Sequence, residues 1–290
     1  MHRIASIPAR INIIGEHTDY SGGLSFAFAA PQRLTLKATS IPEGFEGEST
    51  VVSLWEEAKG WPAQLTVASE IPIGAGMSSS AALCLAIVLC VDKDIELFKA
   101  CREAQRIEHV VLGTECGLLD QMAMMFSKPN HATLIDFSTN TTTHHHLPES
   151  HIFKLIDSKI HRTLGEIDYQ NSVDERIKNI HVKEENQRVK EAIRASPEQL
   201  GLLLNASHES LRTIGVSLEE IDQQVNILQN TPGVWGARMM GGGFGGCTIN
   251  IIKKSEVEAI IHTVADVYAQ QTTHILKVHQ VKIAQGTHIK

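Results

Sequence analysis

From Ala81 to Val91 the chain runs for eleven residues without one polar side chain. A helix that is apolar on every side cannot lie on a surface, so other elements must cover it all round. Its length is about half of the roughly 20 residues needed to cross a bilayer, so it predicts a core helix and no membrane partner. Covering it takes a layered domain with a sheet against it. The preceding sequence supplies strands: Leu24 to Ala29, Leu34 to Thr39, Thr50 to Leu54 and Gln64 to Ala68 are short apolar stretches that alternate between Gly and Pro breaks. After Ser78 the period becomes helical, through Ala81 to Val91, Ile95 to Leu112 and Leu118 to Phe126.

Ala132 to Asp136 predicts one more strand, and the polar tract Ser138 to Ser150, with His144, His145 and His146 inside it, reads as a solvated linker at a boundary. Beyond it, Ile152 to Asp157 is strand-like, and Asp168 to Arg194, Pro197 to Arg212 and Leu218 to Gln229 have helical periodicity. Val234 to Met240 and Cys247 to Ile252 predict strands around a glycine-rich turn, Glu256 to Tyr268 a helix, and Ile275 to Ile283 a closing strand. The expectation is an α+β chain of two domains, residues 1–145 and 146–290. A net charge of −7 leaves no basic surface for phosphate-backbone contacts, which argues against nucleic acid. The start, Met1 to Ser6, has no apolar stretch ahead of a cleavage site, and the five cysteines form no CxxC pair; both suit a cytoplasmic protein with reduced, structural thiols. Nothing in the sequence demands more than a monomer.

Three segments carry chemistry. In Ala9 to Gly23 polar and ionisable side chains crowd behind an apolar stretch, and Glu16, His17 and Asp19 offer the acceptors and donor that a polyol needs; a plain solvated turn closed by Ser21-Gly22-Gly23 is the competing reading. Pro72 to Ala82 places Gly74, Ala75, Gly76, Met77, Ser78, Ser79 and Ser80 at the start of the apolar helix. Small residues let backbone N–H groups approach an anion, and a helix N-terminus adds positive charge, so nucleotide phosphates fit; a serine-capped helix is the bland alternative. No Lys follows the glycines, so this is not a Walker loop. The third segment, Gly236 to Cys247, contains GxGxxG at Gly241, Gly243 and Gly246, but the β-branched Thr248 to Ile252 follows where a dinucleotide site needs a helix. A glycine turn between strands is expected there.

Together, Gly15-Glu16-His17-Thr18-Asp19-Tyr20, Gly74 to Ser80 and Gly241 to Cys247 resemble, in order, the three signature motifs of the GHMP small-molecule kinases, the first being that of the galactokinase branch. The resemblance implies a two-domain fold, with a ribosomal-protein-like N-terminal domain and a ferredoxin-like C-terminal one. It also implies phosphoryl transfer from ATP, with Mg²⁺, to the anomeric hydroxyl of a sugar. By the same resemblance Asp120, within Cys116 to Gln121, is the catalytic acceptor and Arg10 its basic partner. Ser80 and Glu108 would be magnesium ligands, and Glu16, His17, Thr18, Asp19 and Tyr169 would contact the sugar. Gly74 to Ser80 would hold the nucleotide phosphates, and Asn205 to Arg212 resembles a galactokinase helix.

The chain departs from the family pattern in places. It is short before Ala9 and between Gly23 and Ile71, Ala9 replaces the usual glycine, and Gln170-Asn171-Ser172-Val173 replaces the usual residues after Tyr169. Galactose is the expected substrate; galacturonate, L-arabinose or N-acetylgalactosamine, and a non-catalytic sugar and ATP sensor, are the alternatives. Met122, Met124 and Met125 read as core packing, while Trp55 and Trp61 read as burial or as adenine-stacking groups.

Overall fold

In the computed structural model, which describes residues 1–161, 174–272 and 275–289, the strands sort into two sheets. The first is built on β1 (His2–Ile14) and β2 (Leu24–Ser40), antiparallel from His2 opposite Thr39 to Ile14 opposite Phe26. The two strands expected at 24–29 and 34–39 are thus one. Pro31, which reads as a break, sits where the register shifts between Pro8 and Arg10, and a missing N–H is tolerated there. One half of β2 carries β4 (Ala63–Ser69), with β3 (Phe45–Glu46) parallel beside it; the other half carries β5 (His131–Asp136) and then β6 (Thr141–His146).

Two expectations are overturned here. Thr50 to Leu54 is no strand; it lies in helix α1 (Ser49–Glu57), despite its β-branched residues. The Glu48 carboxylate accepts from the N–H groups of Thr50 and Val51, and helical spacing puts Val51, Leu54 and Trp55 on one buried face. The polar tract is no linker either, because Thr141 to His146 pairs with β5 along its whole length. His144 Nε2 bonds the Phe126 carbonyl at 2.7 Å, and the His145 ring meets Phe26 edge-on at 6.0 Å.

The apolar run forms α2 (Ser79–Val91), in which Ala81, Ala82 and Cys84 to Cys90 are buried. It packs on β1 and β2 and against α1, α3 (Leu97–Ile107) and α4 (Leu119–Met125). The expected helix at 95–112 ends in a π-turn, Glu108–Leu112. All five cysteines are free. Trp55 is fully buried, bonded through Nε1 to the Trp61 carbonyl at 2.8 Å, with the two rings edge-to-face.

The second sheet holds β7 (Phe153–His161), β8 (Val234–Met239), β9 (Gly245–Ile252) and β10 (Lys277–Gln280) in the order β10-β7-β9-β8, all antiparallel. Helices α5 (Glu175–Ala192), α6 (Pro197–Thr213) and α7 (Glu219–Gln229) lie between β7 and β8, and α8 (Val257–Gln271) between β9 and β10. The last strand beside the first and the third between first and second is the ferredoxin-like arrangement. The chain then returns to the first sheet: β11 (His288–Ile289) pairs with β1, and the Ala284 N–H bonds Ala29 O. Among the described residues no helix is long and apolar enough to cross a membrane.

Candidate active site

One cavity of about 640 Å³ lies where the three motif segments meet. Arg10, Glu16, His17 and Asp19 line it from the first motif, Gly74 and Gly76 to Ser80 from the second, and Gly241, Gly242 and Phe244 from the third. Glu108 and Asp120 complete the wall. Trp55 and Trp61 are absent from that lining, which leaves them as packing residues.

The second motif is built to receive an anion. Ser78 stands at the N-cap of α2 in the left-handed region (φ 63°) and makes no side-chain capping bond, so the serine-capped reading does not hold and the positive end of α2 faces the cavity. His17 (φ 56°) and Phe244 (φ 58°) are left-handed too and also line the cavity. Such backbone costs about 1–2 kcal/mol per residue, and strain of this kind collects at functional sites. Gly76 is a position where only glycine fits: its φ is +67° and a Cβ would lie 2.7 Å from Met240 O. Ala75 is buried beneath the loop and does not line the cavity.

Opposite this loop, Arg10 Nε donates to Asp120 Oδ1 at 2.7 Å, and its NH1 donates to the carbonyl of Gly76. Burial works against the Arg10 charge, but the neighbouring Asp120 and Glu16 carboxylates more than offset it and hold the guanidinium above its ordinary range. Glu108 is buried, accepts from Gln121 Nε2 at 2.9 Å and is hydrogen-bonded to Ser80. Burial, with the Asp120 charge adding to it, pushes its carboxyl up to about 7. A buried carboxylate and a hydroxyl in contact, both at the cavity wall, are hard oxygen donors of the kind Mg²⁺ takes beside phosphate oxygens. Among the described residues no group of three or more His, Cys, Asp or Glu is arranged to hold a metal ion.

The first motif divides. Asp19 Oδ2 accepts the Leu119 N–H at 3.1 Å, and burial, above all, raises its carboxyl to about 6. His17 donates from Nε2 to Gly242 O at 3.1 Å, and burial lowers it to about 4, so it is a neutral imidazole at pH 7. Glu16 is buried, and its Oε1 accepts the Gly241 N–H at 2.7 Å. Thr18 differs from expectation: its side chain does not line the cavity, and its hydroxyl donates to Gly15 O and Leu24 O within the turn. Tyr169 lies outside the described residues.

Sequence reasoning missed the groups behind this turn. From α5, Glu185 accepts the Gly15 N–H at 3.0 Å, His181 Nε2 donates to Glu16 O at 2.9 Å and Asn186 accepts the Leu24 N–H at 2.7 Å. From β8, the fully buried Arg238 donates to the carbonyls of Asn12, Ile13 and Met239 and to Glu16. The i, i+4 spacing of His181 and Glu185 is a face signal, hidden in a helix rich in exposed charges.

Residues 49–128 match the GHMP kinases N terminal domain, 2–39 the galactokinase galactose-binding signature, and 189–270 the GHMP kinases C terminal model. The galactokinase of Thermotoga neapolitana is 33% identical over 346 aligned positions, covering 96% of this chain and 97% of that one. The galactokinase of Thermotoga maritima is 32% identical with the same coverage. Alignments longer than the 290 residues here mean that these relatives carry segments the chain lacks. The crystal structure of Lactococcus lactis galactokinase with galactose superposes with a TM-score of 0.86 at 25% identity, over 99% of this chain and 95% of the other. Methanococcus jannaschii mevalonate kinase, at 16% identity and a TM-score of 0.73, shares the fold. With a galactose-binding signature at its start, a GHMP kinase domain on either side of its cavity and full-length galactokinase relatives, this chain belongs to the galactokinase branch of the GHMP kinase family.

Proposed function

We propose that the protein transfers the γ-phosphoryl group of ATP to the anomeric hydroxyl of galactose, giving galactose 1-phosphate and ADP. The observation that carries this reading is the Arg10–Asp120 pair, 2.7 Å apart at the wall of a cavity that the galactose signature and an open helix N-terminus share. Glu16, His17 and Asp19 offer the sugar hydroxyls two carboxylates and a neutral imidazole, and Tyr169 adds a contact by family resemblance. The backbone of Gly74 to Ser80 and the start of α2 take the phosphates.

In the transfer step, the Asp120 carboxylate accepts or orients the proton of the anomeric hydroxyl. The freed oxygen bonds to the γ-phosphorus while the bond to the β,γ-bridging oxygen breaks, and ADP departs. Arg10, buried and charged, faces the negative charge that spreads over the transferring oxygens. Ser80 and Glu108 are the residues that would hold Mg²⁺, which neutralises phosphate charge when bound. Arg10, Ser80, Glu108 and Asp120 come from residues 1–145, and the third motif, from 146–290, closes the site. The reading extends to a cytoplasmic enzyme that acts as a monomer on small molecules.

The test is ATP consumption by the purified protein with Mg²⁺ against galactose, galacturonate, L-arabinose, N-acetylgalactosamine, glucose and mevalonate, with the product assigned by phosphorus NMR. Turnover on galactose with phosphate at the anomeric carbon is expected. Turnover confined to another acceptor, or none, refutes the substrate assignment.

A further inference from the structure

Arg238 is absent from the cavity wall, yet every nitrogen of its guanidinium is engaged, two of them across the two sheets. From β8 in the second sheet, Nε reaches Ile13 O at 2.8 Å and NH2 reaches Asn12 O at 2.7 Å, both on β1 in the first. NH1 bonds Met239 O at 2.7 Å, and NH1 and NH2 approach Glu16 Oε1 at 3.3 and 3.4 Å. Both side chains are almost completely buried, so the pair is weakly screened and its geometry is held. Glu16 Oε1 also takes the Gly241 N–H, and the neighbouring His17 donates to Gly242 O. The sugar signature therefore grips the glycine turn through two hydrogen bonds.

That turn lies directly on the phosphate loop. A Cβ on Gly241 would sit 3.2 Å from Gly76 Cα, and one on Gly246 would sit 3.2 Å from Gly74 O. Backbone meets backbone with no flexible side chain between, so a displacement of Gly76 is passed to Gly241, and from Gly241 to Glu16. Packed contacts of this kind transmit small shifts and do not absorb them.

We propose that Arg238 is a positioning residue that, through Glu16 and Gly241, couples occupancy of the sugar pocket to occupancy of the phosphate loop, so that each substrate binds more tightly when the other is present. The proposal rests on the galactokinase reading. By linkage the factor is the same in both directions.

Calorimetry on the full chain tests it, measuring galactose affinity alone and with saturating Mg²⁺ and β,γ-imido-ATP. The nucleotide is expected to tighten galactose binding by about fivefold or more, and galactose to tighten nucleotide binding equally. In Arg238→Lys, which keeps the charge but cannot span Glu16 and three carbonyls, the factor should fall to within about twofold of one, while nucleotide affinity without sugar stays near the original. If that variant does not fold, Arg238→Gln, which keeps an N–H donor but cannot reach both Glu16 and the β1 carbonyls, takes its place with the same expectation. Equal galactose affinities with and without nucleotide in the unmodified protein overturn the coupling, and full coupling in the variant overturns the role of Arg238. Galactose binding under neither condition overturns the galactokinase reading and the proposal with it.

Discussion

Replacing Asp120 by Asn removes one negative charge and leaves an oxygen that can still accept from Arg10 Nε at the present 2.7 Å. The change is therefore chemical before it is structural. An amide cannot take up the proton of the anomeric hydroxyl, and positioned proton transfer contributes about 10²–10⁴ in rate. At 1.36 kcal/mol per decade this is about 3–5 kcal/mol on the barrier, so kcat should fall by that factor. The stability cost is much smaller. Asp120 is 24% exposed, which discounts the ion pair, and Arg10 keeps Gly76 O and the charges of Glu16 and Asp19. About 1 kcal/mol is expected, a shift of about 2 °C in Tm for a chain of this size. The assay is steady-state coupled detection of ADP, with calorimetric galactose and nucleotide affinities and a thermal melt on the same sample. Galactose and nucleotide affinities should stay within about threefold, because the groups assigned to binding are untouched. A folded variant that keeps kcat within tenfold of the original would refute the assignment of Asp120, and loss of binding with unchanged kcat would show that its carboxylate serves the ground state.

Three other outcomes follow from the same geometry. Gly76→Ala adds left-handed strain of about 1–2 kcal/mol and drives a Cβ to 2.7 Å from Met240 O, so the KM for ATP should rise by about tenfold or more; an unchanged KM would mean that the loop is free to move off the glycine turn. Asp19, raised to about 6 chiefly by burial, is neutral below that pH, so galactose KM should climb toward tenfold per unit as pH falls below 6, and Asp19→Asn should abolish the slope; a slope that survives belongs to another group. Thr18→Val removes a hydroxyl that serves the turn, so it should cost about 1 kcal/mol of stability and leave galactose KM within about twofold; a large KM effect on a stable protein would place Thr18 on the sugar.

Wherever period or composition was unambiguous, the sequence carried its own answer. The unbroken apolar stretch at 81–91 had to be a covered helix, and the β-branched residues after Cys247 excluded a dinucleotide helix, because both are decided by neighbours along the chain. The motifs singled out Glu16, Asp19 and Ser78 as candidates, since these sit in local patterns of unusual type, whereas Asp120 was reached only through the family resemblance. Tertiary context decided the rest. Thr50 to Leu54 became helix because the core covered Val51, Leu54 and Trp55, with the local Glu48 cap helping, and the histidine tract became a strand because β5 offered it a ladder. The turning of Thr18 away from the cavity and the brace of His181, Glu185 and Arg238 are long-range facts, made by groups more than 160 residues from the turn they hold, except for the inward bonds of Thr18 itself. A polar side chain inside a charged helix looks like any other until its partner is in place. The kind of chemistry was thus written in short stretches of sequence, whereas the position of each reacting group depended on which distant backbone and side-chain atoms folding brought against it.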